Sequence, residues 1–359
     1  MSADLAQFLD GLLRSFGLIA HAVALGGIAF AAIVLRLWRA PQAAPAGAEA
    51  PKSKDPAARL APSLSSGRPA PPGAMSSCLR LAALGAAGTS VAILLQLAAK
   101  AQFIAAGMKI APFPEFFRTQ VFQANVACAA LAALMALAAL WLGRRPESAA
   151  RWLALGSIAV SLVLAGAWLT HGSARLEQRG LLMTLTTLHQ TAGVVWVGGV
   201  AHLVFLWRLG RRDAPAANFW PEALARFSIL GIGALALLLA SGIPLAWIYV
   251  ASWSGLAGSA YGSVLVAKWT LMAAALALAV ANFRAARRWR REAAAGAPAA
   301  PRPFFAEVES ILLVVVLFAA SALAALPPAI DITEQRASFA EVVQTFAPKM
   351  PQVTSPSLA

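Results

Sequence analysis

Leu188-His189-Gln190-Thr191-Ala192-Gly193-Val194-Val195-Trp196-Val197-Gly198-Gly199 decides how this chain is built. It lies inside an apolar segment running from about Leu181 to Trp207, and a bilayer-spanning helix needs about 20 predominantly apolar residues. A histidine at that depth is costly. Ionisable side chains in spans usually face a bundle interior or a cavity and mark function. The paired glycines, one helical stretch further on, let another backbone come close, as small residues do at helix contacts in lipid.

The composition around this segment agrees with a membrane location. Hydrophobic residues make up 60% of the chain, charged residues 12%, and the mean hydropathy is +0.70, values incompatible with an ordinary soluble domain. The apolar runs are long, unbroken and rich in Ala and Leu, whereas a membrane barrel shows short alternating segments. The expected fold class is therefore all-α, a polytopic membrane bundle of about eight transmembrane helices. The spans fall at about Phe16 to Leu37, Leu79 to Ala99, Val121 to Leu142, Trp152 to Thr170, Leu182 to Leu206, Phe227 to Val250, Tyr261 to Phe283 and Val308 to Leu326.

The net charge of +14 would suit a nucleic-acid partner, but its sources argue otherwise. Lys and Arg cluster after the first, third, fifth and seventh spans, as in Arg144, Arg145 and Arg151 or Arg284, Arg287 and Arg288, while the alternate loops are poor in them. Basic loops of this kind mark the cytoplasmic side, which places both termini in the periplasm and leaves the lipid bilayer as the partner. Trp38, Trp141, Trp152 and Trp207 then fall near the inner boundary and Trp168, Trp247 and Trp253 near the outer, as an aromatic belt requires.

Along the chain, residues 1–39 hold the first transmembrane helix and residues 40–77, rich in Ala, Pro, Gly and Ser, read as a disordered cytoplasmic linker. Residues 78–207 carry helices two to five, 181–328 helices five to eight, and 329–359 a periplasmic amphipathic tail. In the tail, Ser338-Phe339-Ala340-Glu341 reads as a capping box. Phe339, Val342, Val343 and Phe346 would share the apolar face of the helix it opens. The tail reads either as docked on the bundle or membrane or as a metal collector built on Asp331, Glu334 and Met350. The N-terminus carries Asp4 and Asp10 and lacks the basic start of a signal peptide, so the first span is expected to be retained. Cys78 and Cys128 form no CxxC pair and read as packing residues.

The two halves also read as a parallel repeat. His21 precedes Gly26-Gly27 as His189 precedes Gly198-Gly199, Arg80 and Arg226 open the second and sixth spans, and Thr119-Gln120-Val121-Phe122 sits where Ser259-Ala260-Tyr261-Gly262 sits in the second half. Parallel repeats with a site at their interface are a transporter plan.

Four histidines exist. At about 1.5 Å per residue, His21 lies about 8 Å inside the outer boundary and His189 about 10 Å, with His171 at the outer end of the fourth span. His202 lies roughly 20 Å deeper than His189 and reads as structural or interfacial, since no inner-half histidine is left to pair with it. Gln96, Gln123, Asn125, Gln190, Thr191, Tyr261 and Lys268 share the outer half and suggest a polar cavity there. Imidazoles bind copper, zinc and iron well, and Met183 sits toward the outer surface from His189 as a candidate ligand on the way in. Simple interhelical hydrogen bonding is the bland alternative for His21 and His189. Glu309, Asn282 and His202 are candidates for an inner exit route, Glu309 being expected to pair with a nearby arginine. The sequence has no Walker A motif and no Cys-Pro-Cys span, hence no visible means of using ATP.

These residues resemble the CopD family of bacterial copper resistance and uptake membrane proteins. The likeness is carried by the His189 to Gly198-Gly199 helix with Trp196, by Arg226-Phe227-Ser228, and by Tyr261-Gly262 followed by Lys268. Asn282-Phe283-Arg284, Glu309 and Pro327-Pro328 extend it to the end of the last span. His21, Thr119-Gln120 and His171 extend it more loosely into the first half, although relatives commonly have Gly where Thr170 precedes His171. The resemblance implies an eight-helix inner-membrane protein that imports copper from the periplasm, often beside a periplasmic copper carrier, with His21, His171 and His189 as metal residues. Copper would pass inward between the two repeats. A more distant similarity to HemJ-type membrane proteins implies the competing reading, a haem b redox protein with His21 and His189 as axial ligands. A third reading is a non-transporting assembly or sensor protein. Nothing in the sequence specifies an oligomeric state.

Overall fold

The computed structural model describes residues 3–37, 72–108, 114–211, 214–294, 304–332, 336–338, 340, 341 and 344, among which there is no strand. Helix α1 (Ala3–Ala29) continues into wider π-helical turns over Phe30–Leu37. There follow α2 (Pro72–Met108), the short α3 (Pro114–Arg118), α4 (Gln120–Gly143), α5 (Ala149–Ala167) and a single turn, α6 (His171–Ala174). The second half comprises α7 (Arg179–Gly210), α8 (Ala214–Val250), the short α9 (Trp253–Ala257), α10 (Ala260–Ala294), α11 (Phe304–Ala325) and a 3-10 turn at Ala329–Asp331. Eight of the described helices are long and apolar enough to cross a membrane, so the expected bundle is met. The expected linker lies mostly on residues 38–71, outside the described ones. Its last residues are helical instead, since α2 starts at Pro72. A proline in the first turn forfeits no helical hydrogen bond, which allows that early start.

The repeat is visible in how helices begin. Thr119 Oγ accepts from Phe122 N at 3.2 Å at the start of α4, and Ser259 Oγ accepts from Gly262 N at 3.0 Å at the start of α10. Each cap satisfies an amide that the helix itself leaves orphaned. Each of these helices also follows a five-residue helix, α3 and α9, and a 37-residue one, α2 and α8. α1 packs on α2 as α7 packs on α8, and α4 on α5 as α10 on α11. The halves clasp one another, since α5 lies on α7 and α11 on α1.

Their joint is the crossing of α1 and α7. A Cβ on Gly198 would run into the Ala22 carbonyl, and one on Gly26 into that of Val194. Only glycine allows backbones this close, and the approach replaces the hydrophobic drive that lipid does not supply. The second glycine of each pair makes room for a ring instead, Gly27 for His202 and Gly199 for Phe227. The π-helical turns of α1 start beside that layer, with the Phe30 ring 5.9 Å from His202 and 6.1 Å from Phe227. At the glycines the two halves meet backbone to backbone.

Basic side chains Arg36, Arg144, Arg208 and Arg284 gather at one end of the bundle and define its arginine-rich end. Trp247 and Trp253, 83% and 84% exposed, mark the opposite end as the belt predicts. Trp152 departs from that pattern: it is buried, donates to Pro146 O at 2.7 Å and lies under the Arg36 guanidinium. Cys78 and Cys128 are free and buried, as packing residues should be. The described part of the tail is docked on the second half. Ala337 N donates to Gly258 O at 2.9 Å, Arg336 reaches Ser252 and Ala329 O, and Ser338 N meets the Glu341 carboxylate at 2.7 Å in the predicted capping box. Asp331 holds Arg175 through both oxygens at 2.7 and 2.8 Å. Glu334, Phe339, Val342, Val343, Phe346 and Met350 lie outside the described residues.

Candidate functional site

Helix α7 has two working faces, and its histidines divide between them. Val194 and Gly198 face α1. His189 stands nine residues before Gly198, two and a half turns, so its side chain leaves on the opposite face. There Nδ1 lies 3.2 Å from Leu238 O and 3.3 Å from Ser241 Oγ on α8, and the ring rests on Gly242, where a Cβ would stand 2.7 Å from Cε1. Lys268 of α10 is within electrostatic range. An imidazole that donates from Nδ1 to a backbone carbonyl keeps the Nε2 lone pair for a ligand, the arrangement usual among metal-binding histidines. Nε2 has no hydrogen-bond partner among the described residues.

His202 is the opposite case. It is wholly buried, with Nδ1 2.8 Å from Gly198 O and Nε2 3.3 Å from Cys78 O. Carbonyls cover both nitrogens, so neither is open to a metal; the ring wedges α1, α2 and α7 together. The reading of His202 as structural fits this geometry.

His21 is partly buried on α1 and makes no hydrogen bond among the described residues. It stands five residues before Gly26, against nine from His189 to Gly198, so the seam that superposes the glycine pairs sets the histidines a turn apart. Depth alone made them a pair. With His189 turned to α8 and away from α1, the geometry does not support a haem b between His21 and His189. His171 opens the α6 turn, whose Gly172 packs on the backbone of Leu182 and Met183, so the turn sits over the start of the His189 helix.

The expected polar cavity in the outer half is not gathered. Gln123 and Gln190 are exposed, Asn125 is bonded back to Val121 O at 2.8 Å on its own helix, and Gln96 lies against Gly17, a turn from His21. A polar side chain inside a span satisfies itself on the nearest backbone as readily as on a partner helix, a choice that residue type does not reveal. Tyr261 is buried and meets Tyr249 edge-on, with ring centroids 6.5 Å apart. Among the described residues, no group of three or more His, Cys, Asp or Glu is placed to hold a metal ion together.

A cavity lies further along α7. It is half-open, about 220 Å³ in volume, and lies among α7, α8, α10 and α11, lined by Trp196, Phe227, Ser228, Asn282, Phe283 and Glu309 among others. Trp196 follows His189 by seven residues and so shares its face of α7, about 10 Å further along. Its Nε1 donates to Glu309 Oε1 at 3.1 Å, and Asn282 Nδ2 donates to Oε2. Glu309 is therefore held by two neutral donors and not by an arginine, contrary to expectation; it is Glu307 that meets Arg208, at 3.5 Å. Two residues make that difference, because a helix turns about 200° over that interval and points one carboxylate out and the other in. Trp196 and Asn282 entered the sequence reading through the resemblance and an exit route, without a place at one carboxyl. The heptad spacing of His189 and Trp196 was the available signal.

Comparisons with known proteins agree with this emphasis on the second half. Residues 221–323 match the family model of CopD, copper resistance protein D. That match, which takes in Asn282 and Glu309, bears out the resemblance read from the sequence. Over 219 residues the chain is 31% identical to the copper transport protein CutJ of Bacillus subtilis (strain 168), covering 59% of this chain and 39% of that protein. The chain thus spans well under half the length of that relative, 39% of it. No solved structure gives a significant match.

Proposed function

We propose that this protein carries copper across the bacterial inner membrane, importing it from the periplasmic side through a site at His189. The observation that carries the reading is the His189 ring, near Leu238 O at Nδ1 and without a hydrogen-bond partner at Nε2 among the described residues, in the half of the molecule that matches the CopD model. The name of the CutJ relative supports copper as the cargo, and imidazole is a good copper ligand. In this reading the arginine-rich end is cytoplasmic, both termini are periplasmic, and a periplasmic carrier delivers copper near the α6 turn. His171 would receive the ion at the mouth, with Met183 beside it and His21 as a separate outer-half ligand on α1. From His189 the ion follows the face of α7 toward Trp196 and the cavity, with Lys268 setting the charge of the passage.

The test is the copper content of purified protein, with copper flux into vesicles measured on the same preparations. His189→Ala should insert and fold normally, lose stoichiometric copper and transport none. His202→Gln should retain copper. A His189→Ala protein that binds copper as the wild type does would remove the site assignment. Absorption spectra of oxidised and dithionite-reduced protein check the chemistry: no Soret band is expected.

A further inference from the structure

The cavity beside Trp196 contains an unbalanced group. Glu309 is 3% exposed at the start of the last span, and both of its donors, Trp196 Nε1 and Asn282 Nδ2, are neutral. The charged groups of the surrounding helices are committed elsewhere. Glu307 on α11 meets Arg208 of α7, and Arg226 on α8 is closed on Glu222 and on Val34 O at 3.2 Å. Lys268 on α10 stands almost four turns from Asn282, near His189, and Arg284 is exposed. No charged side chain among the described residues acts on Glu309. A buried carboxyl without a counter-charge has two stable conditions, carrying a proton or pairing with a cation that comes to it.

The local geometry accommodates both. Asn282 donates to a carboxylate as it stands, and with its amide turned over it accepts from an acid O–H equally well. The cavity, about 220 Å³, has room for a partly hydrated ion, since a water occupies about 30 Å³. Trp196 and Phe227 on its wall bring aromatic rings, whose π systems attract cations, while the Phe283 ring is taken by Arg287, whose guanidinium lies 5.8 Å from its centroid.

We propose that Glu309 is a proton-exchange site for the transported cation. With the cavity free of a cation, the carboxyl holds a proton. When a monovalent metal cation arrives from His189 along the Trp196 face, the O–H bond breaks heterolytically, the proton passes to water, and the carboxylate takes the metal as its counter-charge. One positive charge replaces another, so the cavity never holds an uncompensated ion. The exchange rests on the copper reading above, but the proton is measurable without any metal.

The experiment uses infrared difference spectroscopy on metal-free protein in lipid nanodiscs at neutral pH, in H2O and D2O. Wild type minus Glu309→Gln should show a carboxylic-acid C=O band that shifts in D2O, and Glu309→Asp should retain such a band at a changed frequency. Silver(I), a redox-inert stand-in for Cu(I), should then abolish the wild-type band and release a single proton per protein to a pH indicator. His189→Ala should give the same response at higher silver concentration, and Glu309→Gln should release none. A neutral-pH spectrum without a Glu309 acid band, or a band that survives saturating silver, overturns the proposal. Unaltered silver binding by His189→Ala would overturn the His189 assignment alone, because the Glu309 band is read separately.

Discussion

The two halves share a plan and differ in tightness. In the first half α2 and α4 lie close along alanine-rich faces, burying Ala82, Ala86, Cys128, Ala132 and Met135. In the second half their counterparts α8 and α10 barely touch, and the gap is the cavity with Glu309 on its wall. The arginines that open equivalent spans differ in the same sense: Arg80 is exposed, whereas Arg226 is 1% exposed and locked between Glu222, Val34 O and the Phe219 ring. One half is packed closely and the other leaves a gap. Small side chains explain the difference physically, because helices lined by Ala can approach until backbones nearly meet, while Phe227, Phe283 and Leu276 hold their helices apart.

The largest expected effect comes from breaking the joint. Gly198→Val drives a branched side chain into the backbone of α1 at Ala22, and because a backbone yields less than a side chain the cost should reach about 3 kcal/mol, the upper end for overpacking. Gly156, with nothing within 4 Å of its Cβ direction, is the control in the first half: Gly156→Val should stay within about 0.5 kcal/mol of wild type. Thermal unfolding in detergent reads both, and equal midpoints would mean that the glycine crossing does not hold the halves together. The paired arginines come next. Arg226→Met strands Glu222 and should cost about 3–5 kcal/mol in chemical denaturation, against about 0.5 kcal/mol or less for exposed Arg80→Met. Similar losses at both positions would erase the asymmetry.

The smallest effect concerns the tail, which docks on the second half. The Ser338 amide and hydroxyl hold the exposed Glu341 carboxyl below its ordinary range. A carboxyl depressed in the folded state contributes stability above its unfolded value of about 4.3 and loses that contribution as pH falls through the folded one. Hydrogen exchange at the Ser338 amide should therefore be slow at neutral pH, after correction for intrinsic rates, and lose its protection in acid. In Glu341→Gln the protection should be pH-independent, and a wild-type profile without an acid limb would dissociate the capping box from that titration.

Much of this architecture is local in origin and legible in one dimension. Eight apolar runs make eight helices, because the bilayer forces each segment to satisfy its backbone within itself, and Thr119, Ser148 and Ser259 cap as their side chains dictate. The glycine pairs announced a close contact, and it is there. Azimuth was harder to read. Rise per residue places His21 and His189 at one depth, yet the direction a side chain takes depends on which face its helix gives to which neighbour. His189 looks into the second half because Gly198, two and a half turns on, is spent on α1. Glu309 stayed without an arginine because Trp196 and Asn282 reached it first, from helices far apart in the chain. Hydropathy and caps are properties of neighbours in sequence and survive without a fold. The pairing of faces is a property of neighbours in space, set by which small residues let two backbones meet and which large ones hold a gap open.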